Sequence, residues 1–237
     1  MDGGLPYRQG AILAGDSWRC ATEEDFSGWS KSNLADNVLA PGDFVGLVKL
    51  NSLVHFELLR MISDVERAPE VFGAEFVDLV QLAIQPNFAC TGAAQIIGIA
   101  RYGGLLETVT IDYRKAQRIG LHLDSWEDAK IGRRRFARNR ISINMGKAAR
   151  RLLFMTTSVD FLFSAFGLLT SPNEYPVDQI WKATSGQDRR IYSLEIRPGE
   201  AYIAPTECLL HDASTKLSSA EDVTAVARIP ILPVVQM

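Results

Sequence analysis

From Gln95 onward the chain is written mostly in short runs of β-branched and aromatic residues separated by turn-formers. Residues 139–145 are the clearest case. Ile141, Ile143 and Met145 alternate with Arg140, Ser142 and Asn144, so an extended backbone carries the apolar set on one face and the polar set on the other. Residues 95–102 and 108–113, parted by Gly103-Gly104, read as strand, turn, strand. Residues 118–126, 151–157, 191–196, 201–204, 208–211 and 223–235 continue the series, with a Pro198-Gly199 turn and one short amphipathic helix over 160–169. A parallel α/β sheet needs a crossover helix after each strand. The strands from 191 onward have none between them, which predicts antiparallel β structure.

Before residue 95 the period changes. Phe44, Leu47, Val48, Leu50, Val54, Leu58 and Ile62 recur near helical spacing after Pro41-Gly42-Asp43, with Asp43 placed to cap. A second apolar stripe, Val71, Phe72, Phe76, Leu79, Val80 and Leu82, predicts a helix over 69–82 that Pro86 ends. Residues 1–40, which include Trp18 and Trp29, read as a loosely structured lead-in. The expected architecture is therefore α+β: a jelly-roll β core over residues 91–237, buttressed by the helices of a lead-in over 1–90, in one domain spanning 1–237.

Composition narrows the function classes. The chain has 237 residues, 47% hydrophobic and 22% charged, and can bury a sizeable core unaided. A net charge of -3 gives no reason to expect nucleic acid or an anionic membrane as partner. Cys20, Cys90 and Cys208 are widely spaced without a Cys-x-x-Cys, against both a disulfide framework and a structural zinc site, and in keeping with a reducing cytoplasm. No signal-like start and no apolar run of spanning length is present, so secretion and membrane insertion are not expected.

The chemistry concentrates in Gly120-Leu121-His122-Leu123-Asp124-Ser125-Trp126. On an extended segment His122 and Asp124 point into one space while Leu121 and Leu123 point away. One imidazole and one carboxylate make two corners of the 2-His-1-carboxylate face used by non-haem iron oxygenases. A second histidine has to be His55 or His211. His55 falls within the first helical stripe with no second ligand beside it, whereas His211 lies on a late strand. Arg228 stands in an otherwise apolar strand, where a cation needs an anionic partner, and its planar fork suits a carboxylate. The plainer readings are a structural His122–Asp124 pair, an ordinary turn at His211-Asp212, and a solvated basic face for the run Arg133, Arg134, Arg135, Arg138, Arg140, Lys147, Arg150 and Arg151. Cys208 has no basic neighbour in sequence and is not expected to act as a nucleophile.

The order His122-x-Asp124, His211, Arg228, spread over late strands, resembles the Fe(II)/2-oxoglutarate-dependent oxygenases, over roughly residues 95–235. The segments around the motif, Asn-Arg-Ile-Ser-Ile-Asn-Met-Gly and Ala-Pro-Thr-Glu-Cys-Leu-Leu-His-Asp-Ala-Ser-Thr, are similar to those of small bacterial members acting on small molecules. The resemblance implies a double-stranded β-helix (jelly roll) core and Fe(II) held by His122, Asp124 and His211. It also implies 2-oxoglutarate and dioxygen as co-substrates, with the distal carboxylate of 2-oxoglutarate on Arg228. That arginine lies further beyond the distal histidine than in much of the superfamily, which makes Arg140 the reserve candidate. Trp126 is the candidate wall of the substrate pocket. Retention of Asp124 implies hydroxylation, desaturation or cyclisation at an unactivated C–H bond rather than halogenation. An amino acid, a nucleoside or nucleotide, or a natural-product intermediate is compatible, and the basic run weakly favours an anion. The alternatives are a cupin-like metal-binding protein or a noncatalytic small-molecule binder on the same scaffold, which iron content and succinate release separate from an oxygenase.

Overall fold

Alternation along the late strands sorts side chains into two kinds of surface, and the architecture follows from where each surface is buried. The computed structural model describes residues 5–12, 18–20, 45–65, 73–84, 88–127, 129–168, 176–184 and 191–233. In chain order the strands are β1 (Tyr7–Ile12), β2 (Trp18–Cys20), β3 (Gly46–Lys49), β4 (Phe88–Cys90), β5 (Gln95–Tyr102), β6 (Ile111–Asp112) and β7 (Gln117–Gly120). They continue as β8 (Asn139–Asn144), β9 (Arg150–Ser158), β10 (Ile191–Ile196), β11 (Glu200–Ala204), β12 (Leu209–Ser214), β13 (Asp222–Ile229) and β14 (Ile231–Pro233). The helices are α1 (Ser52–Val65), α2 (Ala74–Ile84), α3 (Val159–Ala165) and α4 (Pro176–Ala183).

The larger sheet is antiparallel throughout, in the order β3-β11-β8-β13-β5. On one face Ile141, Ile143, Ala201, Ile203, Ala225, Ala227 and Ile229 form a single cluster with Val54, Leu58, Phe76, Val80 and Ile84 of α1 and α2. This is the helical buttress the pattern predicts, and it hides the apolar face of β8 completely. The opposite face carries Arg140, Ser142 and Asn144, with Arg228, Val226 and Thr224 as their cross-strand partners. A second sheet, β12-β9-β10-β2, is antiparallel except for the parallel pairing of β2 with β10. Leu152, Phe154, Tyr192, Leu194 and Ile196 of this sheet share an apolar cluster with Tyr202 and Ala204 of the larger one, so the two sheets pack face to face. No hydrogen-bonded ladder closes them into a barrel among the described residues. The outer face of the second sheet is covered by Val177 and Trp181 of α4. No described helix is long and apolar enough to cross a membrane.

Several expectations are corrected. Residues 46–49 are a strand, not the first turns of a helix, and Asp43 lies outside the described residues. Leu47 and Val48 satisfy either period, but β11 offers an open edge, and Tyr202 pairs with Leu47 across it. The helix starts later because Asn51 caps it, its Oδ1 accepting the Val54 N–H at 2.8 Å. The second helix covers 74–84, and residues 69–72 are outside the described set. Residues 95–102 and 108–113 are not a hairpin: β5 pairs with β13, and the Val109 N–H goes to Ala213 O. Residues 223–235 are divided by Pro230, which has no N–H to continue the ladder, so β14 pairs with β4 instead. The lead-in contributes β1 and β2, both added in parallel to distant strands. That pairing leaves no mark on local periodicity.

Candidate metal centre

β7 ends at Gly120, whose φ of 74° lies in the left-handed region that glycine enters without penalty and turns the chain toward β12. Two residues on, His122 and His211 form an antiparallel bridge, each N–H donating to the other's carbonyl at 2.9 Å. Directly opposed residues in such a pair project from the same face. The two rings accordingly stand 4.6 Å apart between centroids, far inside the reach of one metal ion. Asp124 returns to that face after one residue, and its N–H donates to Thr206 O at 3.0 Å.

The hydrogen bonds also set the tautomers. Nδ1–H of His122 donates to Gly120 O and Nδ1–H of His211 to Leu209 O, each at 3.0 Å. Both Nε2 atoms are left as acceptors, buried and without a hydrogen-bond partner. Asp124 Oδ1 lies 3.6 Å from His122 Nε2, and Oδ2 lies 3.9 Å from His211 Nε2. One donor atom from each residue falls within 4.8 Å of the others, and all three residues are buried. Around a metal with bonds near 2.0–2.2 Å, neighbouring ligand atoms sit about 3 Å apart, so closure on an ion needs shifts of about 1 Å or less. Two orphaned imidazole nitrogens facing a carboxylate suit a divalent cation of the iron or zinc kind.

Electrostatics agree with that reading. Burial by itself would push the Asp124 carboxyl up, but Arg140, with Nη1 3.3 Å from Oδ2, and the two histidines hold it well below the usual range. Burial likewise opposes a proton on His122, yet the Asp124 carboxylate, 3.6 Å from Nε2, and the charge of Asp212 carry its pKa above the ordinary imidazole value. His211, dominated by burial, is lowered to about 3. Without metal, the trio is one carboxylate with at most one imidazolium.

A polar chamber opens beside the triad between the two sheets. Arg140, Arg150, Tyr102, Tyr202, His211 and Asp212 are among the residues that line it. Nε of Arg140 and Nε of Arg150 are buried there without acceptors, while Arg150 Nη1 lies 3.0 Å from Asp222 Oδ2. Tyr102 is pushed up to about 12, first by burial and then by Tyr113, against the pull of Arg140 and Arg150. Free space in the chamber is about 10 Å³, room for roughly one water. Along the 119–125 segment, a cavity of about 310 Å³ is lined by Arg8, Leu121, His122, Leu123, Arg134 and Val177, among others, and so reaches the triad at His122.

The sequence candidates are distributed unevenly over this geometry. His122, Asp124 and His211 come together, and Arg140 joins them through Asp124. His55 is on α1, packed against the 197–200 turn, where a Cβ on Gly199 would stand 3.0 Å from its Nδ1. Trp126 is at a surface turn, 55% exposed, and lines neither cavity beside the triad. Arg228 is fully buried but does not line the chamber; its Nη2 meets Glu207 Oε1 at 2.9 Å. The basic run is not one solvated face. Arg133 is exposed, whereas Arg134 donates to Asp124 O at 2.8 Å, and Arg140 and Arg150 point into the chamber. In the sequence Arg134 and Arg150 stand out only as members of the basic run, and Glu127 and Glu207 not at all. The signal for Glu207 was available: a carboxylate inside the otherwise apolar approach to His211 requires a cation.

No family model matches this chain, and no curated protein matches it. Among solved structures the chain is similar to the apo structure of the Kdo hydroxylase KdoO, a non-heme Fe(II) alphaketoglutarate dependent dioxygenase. That likeness has a TM-score of 0.43 and 10% identity over 89% of this chain and 88% of that one. It is also similar to the iron and alpha-ketoglutarate-dependent endoperoxidase NvfI, with a TM-score of 0.40 and 10% identity over 83% of this chain and 82% of that one.

Proposed function

We propose that this chain is a non-haem Fe(II)/2-oxoglutarate-dependent oxygenase acting on an unactivated C–H bond of a small molecule, built on a double-stranded β-helix core. The single observation that carries the reading is the pair of buried, partnerless Nε2 atoms of His122 and His211 facing the ionised Asp124 carboxylate. Burying three such groups against one another costs stability unless something completes them, and a ferrous ion does. A cupin-like set is disfavoured because it needs more imidazoles, and His55 is committed to α1.

Iron bound there would supply dioxygen activation coupled to oxidative decarboxylation of 2-oxoglutarate to succinate and carbon dioxide. The chain's own residues do the rest. Backbone carbonyls of Gly120 and Leu209 hold both rings with Nε2 forward, so each neutral ring already has the tautomer that a metal needs. Arg140 neutralises Asp124 and, with Arg150, presents the buried N–H groups that suit the distal carboxylate of the co-substrate. Tyr102 and Tyr202 wall the same space. Since that space has room for only about one water, entry of a dicarboxylate requires the Arg140 and tyrosine side chains to swing aside. The substrate is a small molecule, and the excess of arginine around the site favours one carrying a negative charge.

The test is anaerobic reconstitution with Fe(II) and 2-oxoglutarate, followed by exposure to air. A weak visible charge-transfer band and release of succinate are expected from the wild-type chain, and neither from His122→Ala. A wild-type protein that takes up one Fe(II) but neither develops the band nor releases succinate refutes the oxygenase reading and leaves a metal-binding protein.

A further inference from the structure

Arg228 has a different occupation from the one its position in the chain predicts. It sits on β13 directly opposite Arg140 of β8, so both side chains leave the same face at the same level. Arg140 turns to Asp124. Arg228 instead reaches the turn that precedes β12, where Nη2 donates to Glu207 Oε1 and to Arg138 O, each at 2.9 Å, and Nη1 lies 3.6 Å from Glu127 Oε1. Arg228 and Glu207 are each only 1% exposed.

Glu207 is in turn fastened to the segment that presents Asp124. Its Oε1 accepts the Glu127 N–H at 2.9 Å. Arg134 Nη1 donates both to Asp124 O at 2.8 Å and to Glu207 O at 3.2 Å, and the Asp124 N–H donates to Thr206 O. The 124–127 segment is thus tied to the 205–208 turn before Asp124, after it, and again at Glu127. The last tie depends on a buried carboxylate whose one close cationic partner among the described contacts is Arg228. Remove that cation and Glu207 is left as an uncompensated buried charge, which must rotate out or take up a proton, and either change loosens its hold on Glu127.

We propose that Arg228 is a positioning residue of the metal centre: through Glu207 it fixes the segment that aims the Asp124 carboxylate, and it is not the seat of the co-substrate's distal carboxylate. This rests on the metal reading given above. The buried network around the ligand does for Asp124 what the Gly120 and Leu209 carbonyls do for the two imidazoles.

The experiment is a Co(II) titration of the full chain followed by its ligand-field absorbance, with 2-oxoglutarate affinity measured separately at saturating Co(II) and thermal stability recorded alongside. Arg228→Met and Glu207→Gln are each expected to weaken Co(II) binding about 10–100-fold and to alter the band shape. The double variant is expected to be no worse than the weaker single one, because both act through one contact. Affinity for 2-oxoglutarate at saturating Co(II) stays at the wild-type value. If Arg228→Met does not fold, Arg228→Lys keeps the charge while losing the fork that sets Nη2 on Glu207 and Nη1 toward Glu127, and carries the same expectation. A lowered melting temperature with wild-type Co(II) affinity and spectrum overturns the proposal. So does loss of 2-oxoglutarate binding in Arg228→Met that Glu207→Gln does not share. A wild-type chain that binds no Co(II) overturns the metal reading and this inference with it, whereas wild-type binding that the variants leave intact overturns the inference alone.

Discussion

Lowering the pH from about 8 to about 5 should weaken metal binding with a slope of one proton, not two. A ferrous or cobaltous ion needs Asp124 ionised and both Nε2 atoms free. Asp124, held well below the usual carboxylate range by Arg140 and the two histidines against the opposing effect of burial, is already ionised through that window. His211, lowered to about 3 by burial, is already neutral. His122 alone carries a proton to be displaced. Its pKa is raised, burial being outweighed by Asp124 and Asp212, so the competition begins above the ordinary imidazole value and persists as the pH falls. Below that pKa the apparent affinity drops about tenfold, about 1.4 kcal/mol, per pH unit. Two ordinary imidazoles would give a drop approaching a hundredfold per unit below about pH 6.5. Chelator competition for Co(II) across the window reads the slope, and calorimetry in buffers of different ionisation enthalpy counts the protons released. Two protons released per metal at about pH 6, or a slope near two decades per unit, would refute the assignment of unequal roles to the two histidines.

Other perturbations separate the scaffold from the site. Ile203→Ala empties a fully buried position between β11 and the helices and should cost about 2–5 kcal/mol in urea melts, with Co(II) affinity unchanged because the side chain faces away from the triad. Gly199→Ala forces a Cβ into a φ of 76° and against His55, and should cost about 1–2 kcal/mol from the backbone conformation alone, read as a lower melting temperature. Arg150→Met strips Asp222 of its cation and should cost roughly 3–5 kcal/mol near neutral pH. The sign with pH is fixed: burial already raises Asp222, and an acid whose folded pKa is raised is least favourable above that pKa. The loss should therefore shrink as the pH falls through it, which melts at two pH values will show.

Much of this protein is readable from period and spacing because those are local properties. Alternation over 139–145 assigns Ile141 and Ile143 to one face and Arg140 and Ser142 to the other whatever lies across from them. The His-x-Asp spacing likewise puts His122 and Asp124 on one side of the segment before any partner is known. Partnership is another matter, since it depends on which distant segment supplies the opposite edge. Residues 46–49 satisfied both helix and strand periods, and the open edge of β11 settled the choice; β1 and β2 joined strands far along the chain with no local signature. Arg228 shows the same division most sharply. An arginine in an apolar strand announces that a carboxylate must be near, but only folding brings Glu207 within 2.9 Å of it and leaves Arg140 facing Asp124. A side chain's chemistry and the face it occupies belong to its own few neighbours in the chain; the group it meets is chosen by long-range pairing, which no window of residues contains.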